Sequence, residues 1–174
     1  TLKKIGHSLH PVEIPSLAKS ISILAGIYGP EAAHIHEKKH KEAPQLFGAE
    51  ARKNLERAAA RPAHKYNAAL ERMKTLTLAI ETQMQTHELD FLICPTTPYP
   101  ARPFGSAAPH EYLTFTCPFN ISGQPALSVP MGRIDGLPVG LQIIGKKNED
   151  PKVLVLGAVF EQTTAQNNAT PITD

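Results

Sequence analysis

The sequence reads as an α/β domain built in layers, and three of its features say so. A stretch from Tyr66 to Met84 carries an apolar stripe at helical spacing, long enough for a helix that lies against a sheet. Short apolar runs at Phe91–Cys94, Ala126–Met131 and Val139–Ile144 have the length of strands. Helical patterns stand before and after those runs, which is the order of a sheet covered by helices. The composition suits one such domain: 174 residues, 41% of them apolar and 20% charged. That balance supports a packed core and excludes wholesale disorder.

Along the chain, Thr1–Gly6 has the pattern of the last turn of a helix with Gly6 at its C-terminal cap. With Thr1 in first place, this turn reads as the continuation of something larger. Ser8–Pro15 alternates apolar and polar residues, but its prolines limit it to a short or edge strand. Ser16 has the chemistry of an N-cap, and Leu17, Ile21, Leu24 and Tyr28 continue a helix that Gly29-Pro30 is expected to break. Glu31–Glu42 is a polar, charged helix ended by Pro44, and Phe47–Ala60 is an alanine-rich one. Pro62 opens the clearest helix, since a first turn has no use for its missing N–H. Tyr66, Leu70, Met73, Thr77, Ile80 and Met84 form its stripe, and it stops near His87.

Phe91–Cys94 then suits a buried strand. Five prolines from Pro95 to Pro109, with Gly105, make an irregular loop of about fifteen residues, a length that usually means function or disorder. A short helix is expected over Tyr112–Phe119. Asp135-Gly136 between the last two apolar runs marks an antiparallel hairpin. Asp150-Pro151 caps a final helix, Lys152–Glu161, and the polar tail from Gln162 to Asp174 is expected to fray.

Charge and cysteine usage narrow the function classes. Eighteen basic against sixteen acidic residues leave +2, so no basic field argues for nucleic acid. No apolar run approaches the ~18 residues of a membrane helix, and no signal peptide is recognisable, so no membrane partner is expected. Cys94 and Cys117 make no disulfide framework, which favours a reducing, cytoplasmic setting.

The run Asn120-Ile121-Ser122-Gly123-Gln124-Pro125-Ala126-Leu127-Ser128-Val129-Pro130-Met131-Gly132, followed by Asp135-Gly136-Leu137-Pro138-Val139-Gly140-Leu141-Gln142, strongly resembles the C-terminal part of the amidase signature family. Upstream, Leu89–Pro98 resembles that family's strand and Pro-Thr loop, and Tyr66–Arg72 resembles the helix before it. Gly6–Leu9 and Glu31-Ala32-Ala33 also have counterparts, so the resemblance covers nearly the whole chain. On the residues themselves, Gly123 and Gly132 open backbone conformations closed to others, and Pro125 and Pro130 fix φ at the ends of a strand. These positions determine shape more than they supply chemistry.

The resemblance implies the C-terminal portion of an α/β/α fold, a mixed sheet flanked by helices. Residues 1–88 would be mainly helical cover, 89–161 the strand, loop, hairpin and last helix, and 162–174 the tail. It implies amide C–N hydrolysis without a cofactor, by a serine nucleophile, a bridging serine and a lysine base held in a Gly/Ser-rich core. None of the seven serines here, at positions 8, 16, 20, 22, 106, 122 and 128, sits in a Gly-Gly-Ser-Ser-like run. No catalytic role is therefore assigned, and the chain alone is expected to be inactive. What the family places in this region is pocket wall, by position Thr96, Thr97, Thr116 and Phe119, with plain core packing the alternative for Phe119. The tRNA-dependent amidotransferase branch carries an acidic residue just before its Thr-x-Pro-x-Asn step. Leu113-Thr114-Phe115 stands there, with Glu111 too early, which favours a general amidase with a more apolar pocket. The expected partners are a small-molecule amide together with a complementing N-terminal half, with a homo-oligomer as a further state. The alternative is a non-catalytic scaffold or remnant that acts only by complementing a separate chain.

Two rival constellations remain. His36-Glu37-Lys38-Lys39-His40 fits the H-E-x-x-H zinc pattern on a predicted helix, but two lysines inside it and charged flanks favour a solvated face, and no metal is expected. Cys94 and Cys117 each precede a proline in apolar context, which favours buried, inert thiols.

Overall fold

The computed structural model describes residues 1–103, 105–106 and 110–164. Five α-helices and three strands are formed by these residues: α1 Ser20–Glu42, α2 Ala49–Ala59, α3 Ala63–Thr86, β1 Leu92–Pro95, α4 Cys117–Ser122, β2 Ala126–Ile134, β3 Leu137–Ile144 and α5 Asp150–Thr164. Short 3₁₀ turns precede or join them at Leu2–Ile5, Pro15–Lys19, Pro44–Leu46 and His110–Leu113. The three strands form an antiparallel sheet in the order β1-β3-β2.

Strand β3 lies in the middle and is covered on both faces. Leu141 and Ile143 turn to one side, where they join Val129 of β2 and Val153, Leu156 and Phe160 of α5. Ile144 turns to the other side and packs with Ile23 of α1, Leu76, Ile80 and Met84 of α3, and Phe119 of α4. Removing an isoleucine such as Ile143 or Ile144, both fully buried, from water contributes about 1.5–3 kcal/mol each. The result is the layered α/β arrangement: helices, sheet, helix.

Local chemistry places several boundaries where the sequence puts them. Gly6 takes a left-handed φ of 95° and returns its N–H to the first turn. Pro62 precedes α3, and the stripe inside that helix is the expected one with Ala69 and Leu76 added as buried members. The hairpin turns on Asp135 (φ 51°) and Gly136 (φ 80°), two positive values that match the twist of the flanking strands. Beyond Pro130 the register slips, so Met131 is left without a partner on β3, as a bulge beside a proline without an N–H would give.

Other expectations are corrected. Ser8–Pro15 forms no strand: Pro11 and Pro15 lack donors, and the segment lies over the surface with only Val12 and Ile14 partly buried. Ser16 is no N-cap, because the chain enters through the 3₁₀ turn and the Ser16 hydroxyl is buried without a hydrogen-bond partner. Gly29-Pro30 does not break the helix; α1 runs through Pro30 to Glu42. Its contact face is Ser20, Ile23, Gly26 and Ala33, and Tyr28 is 67% exposed. The helix expected over Tyr112–Phe119 is displaced to Cys117–Ser122, with Cys117-Pro118 in its first turn. Phe91–Cys94 gives a strand one residue later, only partly buried, because β1 is an edge strand among the described residues. The last helix starts at Asp150 and continues to Thr164. Pro109 of the long loop and residues 165–174 of the expected tail lie outside the described residues.

Continuity through Pro30 has a packing cause. A Cβ on Gly26 would sit 2.6 Å from the Ala69 Cβ of α3, and one on Gly29 would sit 3.3 Å from the Ala58 Cβ of α2. Two neighbouring helices thus clamp α1 at backbone distance just ahead of the proline, and these contacts offset the hydrogen bond it removes. For an exposed helix, Gly26→Ala would stabilise by about 1 kcal/mol. Here it should destabilise by about 1–3 kcal/mol through overpacking, read as a lower urea midpoint, and Ala69→Gly in the same chain should recover part of the loss.

Candidate functional site

The four residues expected from sequence fall in two segments: Thr96 and Thr97 where β1 leaves the sheet, and Thr116 and Phe119 where α4 begins. Thr96 directly follows β1, and its N–H donates to Gly140 O at 2.8 Å. Its hydroxyl lies 2.6 Å from the Ser128 hydroxyl of β2. Because β3 separates those two strands, the two side chains meet above Gly140, where a Cβ would be 2.6 Å from Ser128 Oγ and 2.8 Å from Thr96 Oγ1. Glycine at 140 is what lets the hydroxyls reach each other.

Thr97 turns the other way, into the loop, and its hydroxyl donates to Tyr99 O at 3.0 Å. Tyr99 donates its own hydroxyl to the Glu111 carboxylate. The Arg102 guanidinium lies 3.9 Å over the Tyr99 ring and 3.9 Å from that same carboxylate, and Tyr112 meets Tyr99 edge-on at 4.9 Å. Burial, and then the hydrogen bond to Glu111, pushes the Tyr99 hydroxyl above the usual tyrosine pKa. This group ties the two ends of the loop together and engages the Glu111 carboxylate.

Thr116 occupies the position before α4; its carbonyl accepts from Asn120 N–H at 3.3 Å, and its side chain makes no capping bond. Phe119 is 4% exposed, and one side of it borders a cavity of about 310 Å³ shared with Ile14, Leu17, Leu92 and Phe115. No hydrogen bond joins Thr96 or Thr97 to Thr116 among the described residues. Gln142 links their segments instead: its buried amide donates to Phe115 O at 2.7 Å and to Cys94 Sγ at 3.3 Å. Ser128, Gln142 and the Tyr99–Arg102–Glu111 group were missed by sequence reasoning. The alternation of β2 and β3 was the one available signal, since it sets Ser128 and Gln142 on the same face as Gly140.

The arrangement supplies hydroxyls, backbone groups and an apolar wall, which can orient a ligand. It supplies no activated nucleophile: serine hydroxyls here bond to Lys19 O, Thr96, Phe119 O and Gln124, and lysines with partners pair with carboxylates. The H-E-x-x-H pattern lies on α1 as expected, but Glu37 is taken by Lys41 Nζ at 2.6 Å, which lowers its carboxyl pKa. His36 and His40 pack edge-on against Phe47 at 5.7 and 5.6 Å, and no metal-holding group of three or more His, Cys, Asp or Glu occurs among the described residues.

Both cysteines are free, and burial pushes both thiols above the ordinary cysteine value, partly offset by hydrogen bonds with Gln142 and Ser20. The folded state holds the thiol proton more tightly than the unfolded chain does. This source of stability is therefore full below the ordinary cysteine pKa and falls as pH rises through it. At pH 8, iodoacetamide should label Cys117 at least about tenfold more slowly in the native chain than in urea, read by mass spectrometry. Equal rates would place the thiol at the surface.

A family model described as Amidase matches residues 1–154. A glutamyl-tRNA(Gln) amidotransferase subunit from Symbiobacterium thermophilum is 32% identical over 164 residues, covering 90% of this chain and 34% of that protein. Its counterpart from Pseudothermotoga lettingae is 46% identical over 84 residues, 46% of this chain and 18% of its own length. A crystal structure described as an amidase superimposes with a TM-score of 0.86 at 31% identity, over 93% of this chain and 39% of that one. The Thermotoga maritima glutamyl-tRNA(Gln) amidotransferase subunit has the same fold, with a TM-score of 0.74 at 24% identity over 99% of this chain and 37% of its own. The chain thus spans about a third of the length of the relatives that match nearly all of it.

Proposed function

This chain belongs to the amidase signature family, and on that basis we propose that it forms one wall of the substrate pocket of an amide hydrolase whose nucleophile and base lie outside these 174 residues. The observation that carries the reading is the fit of the fold, a TM-score of 0.86 over 93% of the chain, together with the finding that among the described residues no serine hydroxyl bonds a lysine or histidine side chain. The work of the chain in such an enzyme is positioning. Thr96, Thr97, Thr116 and the open side of Phe119 shape and hydrogen-bond the amide, while catalysis by an activated hydroxyl comes from outside.

The branch we favour is a general amidase acting on a small amide, with no cofactor and in a cytoplasmic setting. Leu113 stands where the resemblance calls for an acidic residue in the tRNA-dependent branch, and Glu111 is engaged by Tyr99 and Arg102. The second reading, part of a glutamyl-tRNA(Gln) amidotransferase, is favoured by the curated relatives, 32% identical over 90% of the chain.

The test is ammonia release from simple aliphatic and aromatic amides. The pure chain should release none above the buffer rate. Addition of a polypeptide comprising the part of the 31%-identical amidase that falls outside the match should restore hydrolysis. In that mixture Thr116→Val should raise KM about three- to tenfold with a smaller change in kcat, as loss of one hydrogen bond to substrate gives. Hydrolysis by the chain alone would refute the reading, and a requirement for tRNA would favour the second one.

A further inference from the structure

The loop after β1 surrounds a cation with its own residues. Tyr99 and Tyr112 meet edge-on with ring centroids 4.9 Å apart, and the Glu111 carboxylate stands beside them, accepting the Tyr99 hydroxyl. Two aromatic rings and a carboxylate together attract positive charge, the rings through their quadrupoles and the carboxylate through its full charge. A cation already stands there. The Arg102 guanidinium lies 3.9 Å from the Tyr99 ring centre and 5.9 Å from that of Tyr112.

Arg102 is held loosely, and the walls around it do not depend on it. Its distance to the Glu111 carboxylate, 3.9 Å, is an ion pair too long for a hydrogen bond. A guanidinium has five N–H donors, and none of those on Arg102 finds an acceptor among the described residues. Glu111 meets both Tyr99 and Arg102 through Oε2, which leaves Oε1 without a partner among the same residues. The walls are set by other bonds. The Thr97 hydroxyl donates to Tyr99 O at 3.0 Å, Tyr99 donates to Glu111, and the Tyr112 hydroxyl reaches Pro100 O at 3.5 Å.

We propose that Tyr99, Tyr112 and Glu111 form a binding site for the guanidinium group of a small-molecule ligand, and that Arg102 is its internal occupant, which such a ligand displaces. A planar guanidinium stacks on the Tyr99 ring as Arg102 does. Released from the geometry of the chain, it also turns its fork of donors to both oxygens of Glu111. An alkylammonium carries the same charge without the plane or the fork, so it satisfies the site less well. Every wall comes from this one loop, and the site stands whether or not the chain takes part in amide hydrolysis.

The test titrates ethylguanidinium into the chain and follows the ring protons of Tyr99 and Tyr112 by NMR, at concentrations too low to unfold it. Arg102→Ala removes the occupant and keeps the wall bonds. It should bind ethylguanidinium at least about tenfold more tightly than the wild-type chain, whose tethered arginine competes at high effective concentration. Adding Glu111→Gln to Arg102→Ala should weaken binding about tenfold, and ethylammonium should bind Arg102→Ala about tenfold more weakly than ethylguanidinium. Arg102→Gln, shorter and uncharged, serves as a second variant should the alanine loosen the loop. No shift of the two rings in either variant, or binding indifferent to Glu111→Gln, would overturn the site. Equal binding of the two cations would overturn the guanidinium assignment. Equal affinity of the wild-type chain and Arg102→Ala would overturn the role of Arg102 as occupant.

Discussion

The hydrogen bonds of β3 to β1 on one side and to β2 on the other set the geometry of everything around them. Pairing on both edges makes β3 the sheet's centre, and a central strand is covered on two faces, so its side chains must divide between two apolar layers. They do: Leu141 and Ile143 enter the α5 layer and Ile144 enters the α1–α3–α4 layer. The polar member, Gln142, is tolerated at 4% exposure because its amide is satisfied by Phe115 O and Cys94 Sγ. Gly140 completes the strand by carrying no side chain, which is what brings Thr96 and Ser128 together.

The helical layer rests on close approach more than on large side chains. Gly26 against Ala69 and Gly29 against Ala58 put α1 within backbone distance of two neighbours. Dispersion across such contacts holds Pro30 inside a helix that local rules would end there. The same closeness explains why the contact face of α1 differs from the stripe of large residues. Glycine and alanine offer little apolar surface of their own, so Gly26 and Ala33 carried no signal, while Tyr28 carried a misleading one.

At the candidate site, legibility follows the range of the interaction. The Pro-Thr loop, the motif around Asn120–Gly123 and the hairpin were visible as local turn chemistry and as a family resemblance, and the fold comparison bears that family out. Thr97, bonded two residues away at Tyr99 O, is a local matter. The loop's own clamp, Tyr99 with Arg102 and Glu111, was not visible, because nothing local says that residue 99 returns to residue 111. That clamp bears on the site, since it ties the Glu111 carboxylate to Tyr99 and sets it beside Arg102.

The amino-acid sequence was enough to establish the family, the layered α/β class, helix α3 with its stripe, and the hairpin with its Asp135-Gly136 turn, because periodicity, proline and positive-φ turn residues act over a few positions. It was not enough for the run of α1 through Pro30, the absence of a strand over Ser8–Pro15, the start of α4 at Cys117, or the pairing of Thr96 with Ser128 and of Gln142 with Cys94. Those side chains are 32 and 48 residues apart in the chain. Contacts at that range exist only once the strands have chosen their order and register, and a central glycine or a buried amide has no meaning until its neighbours are in place.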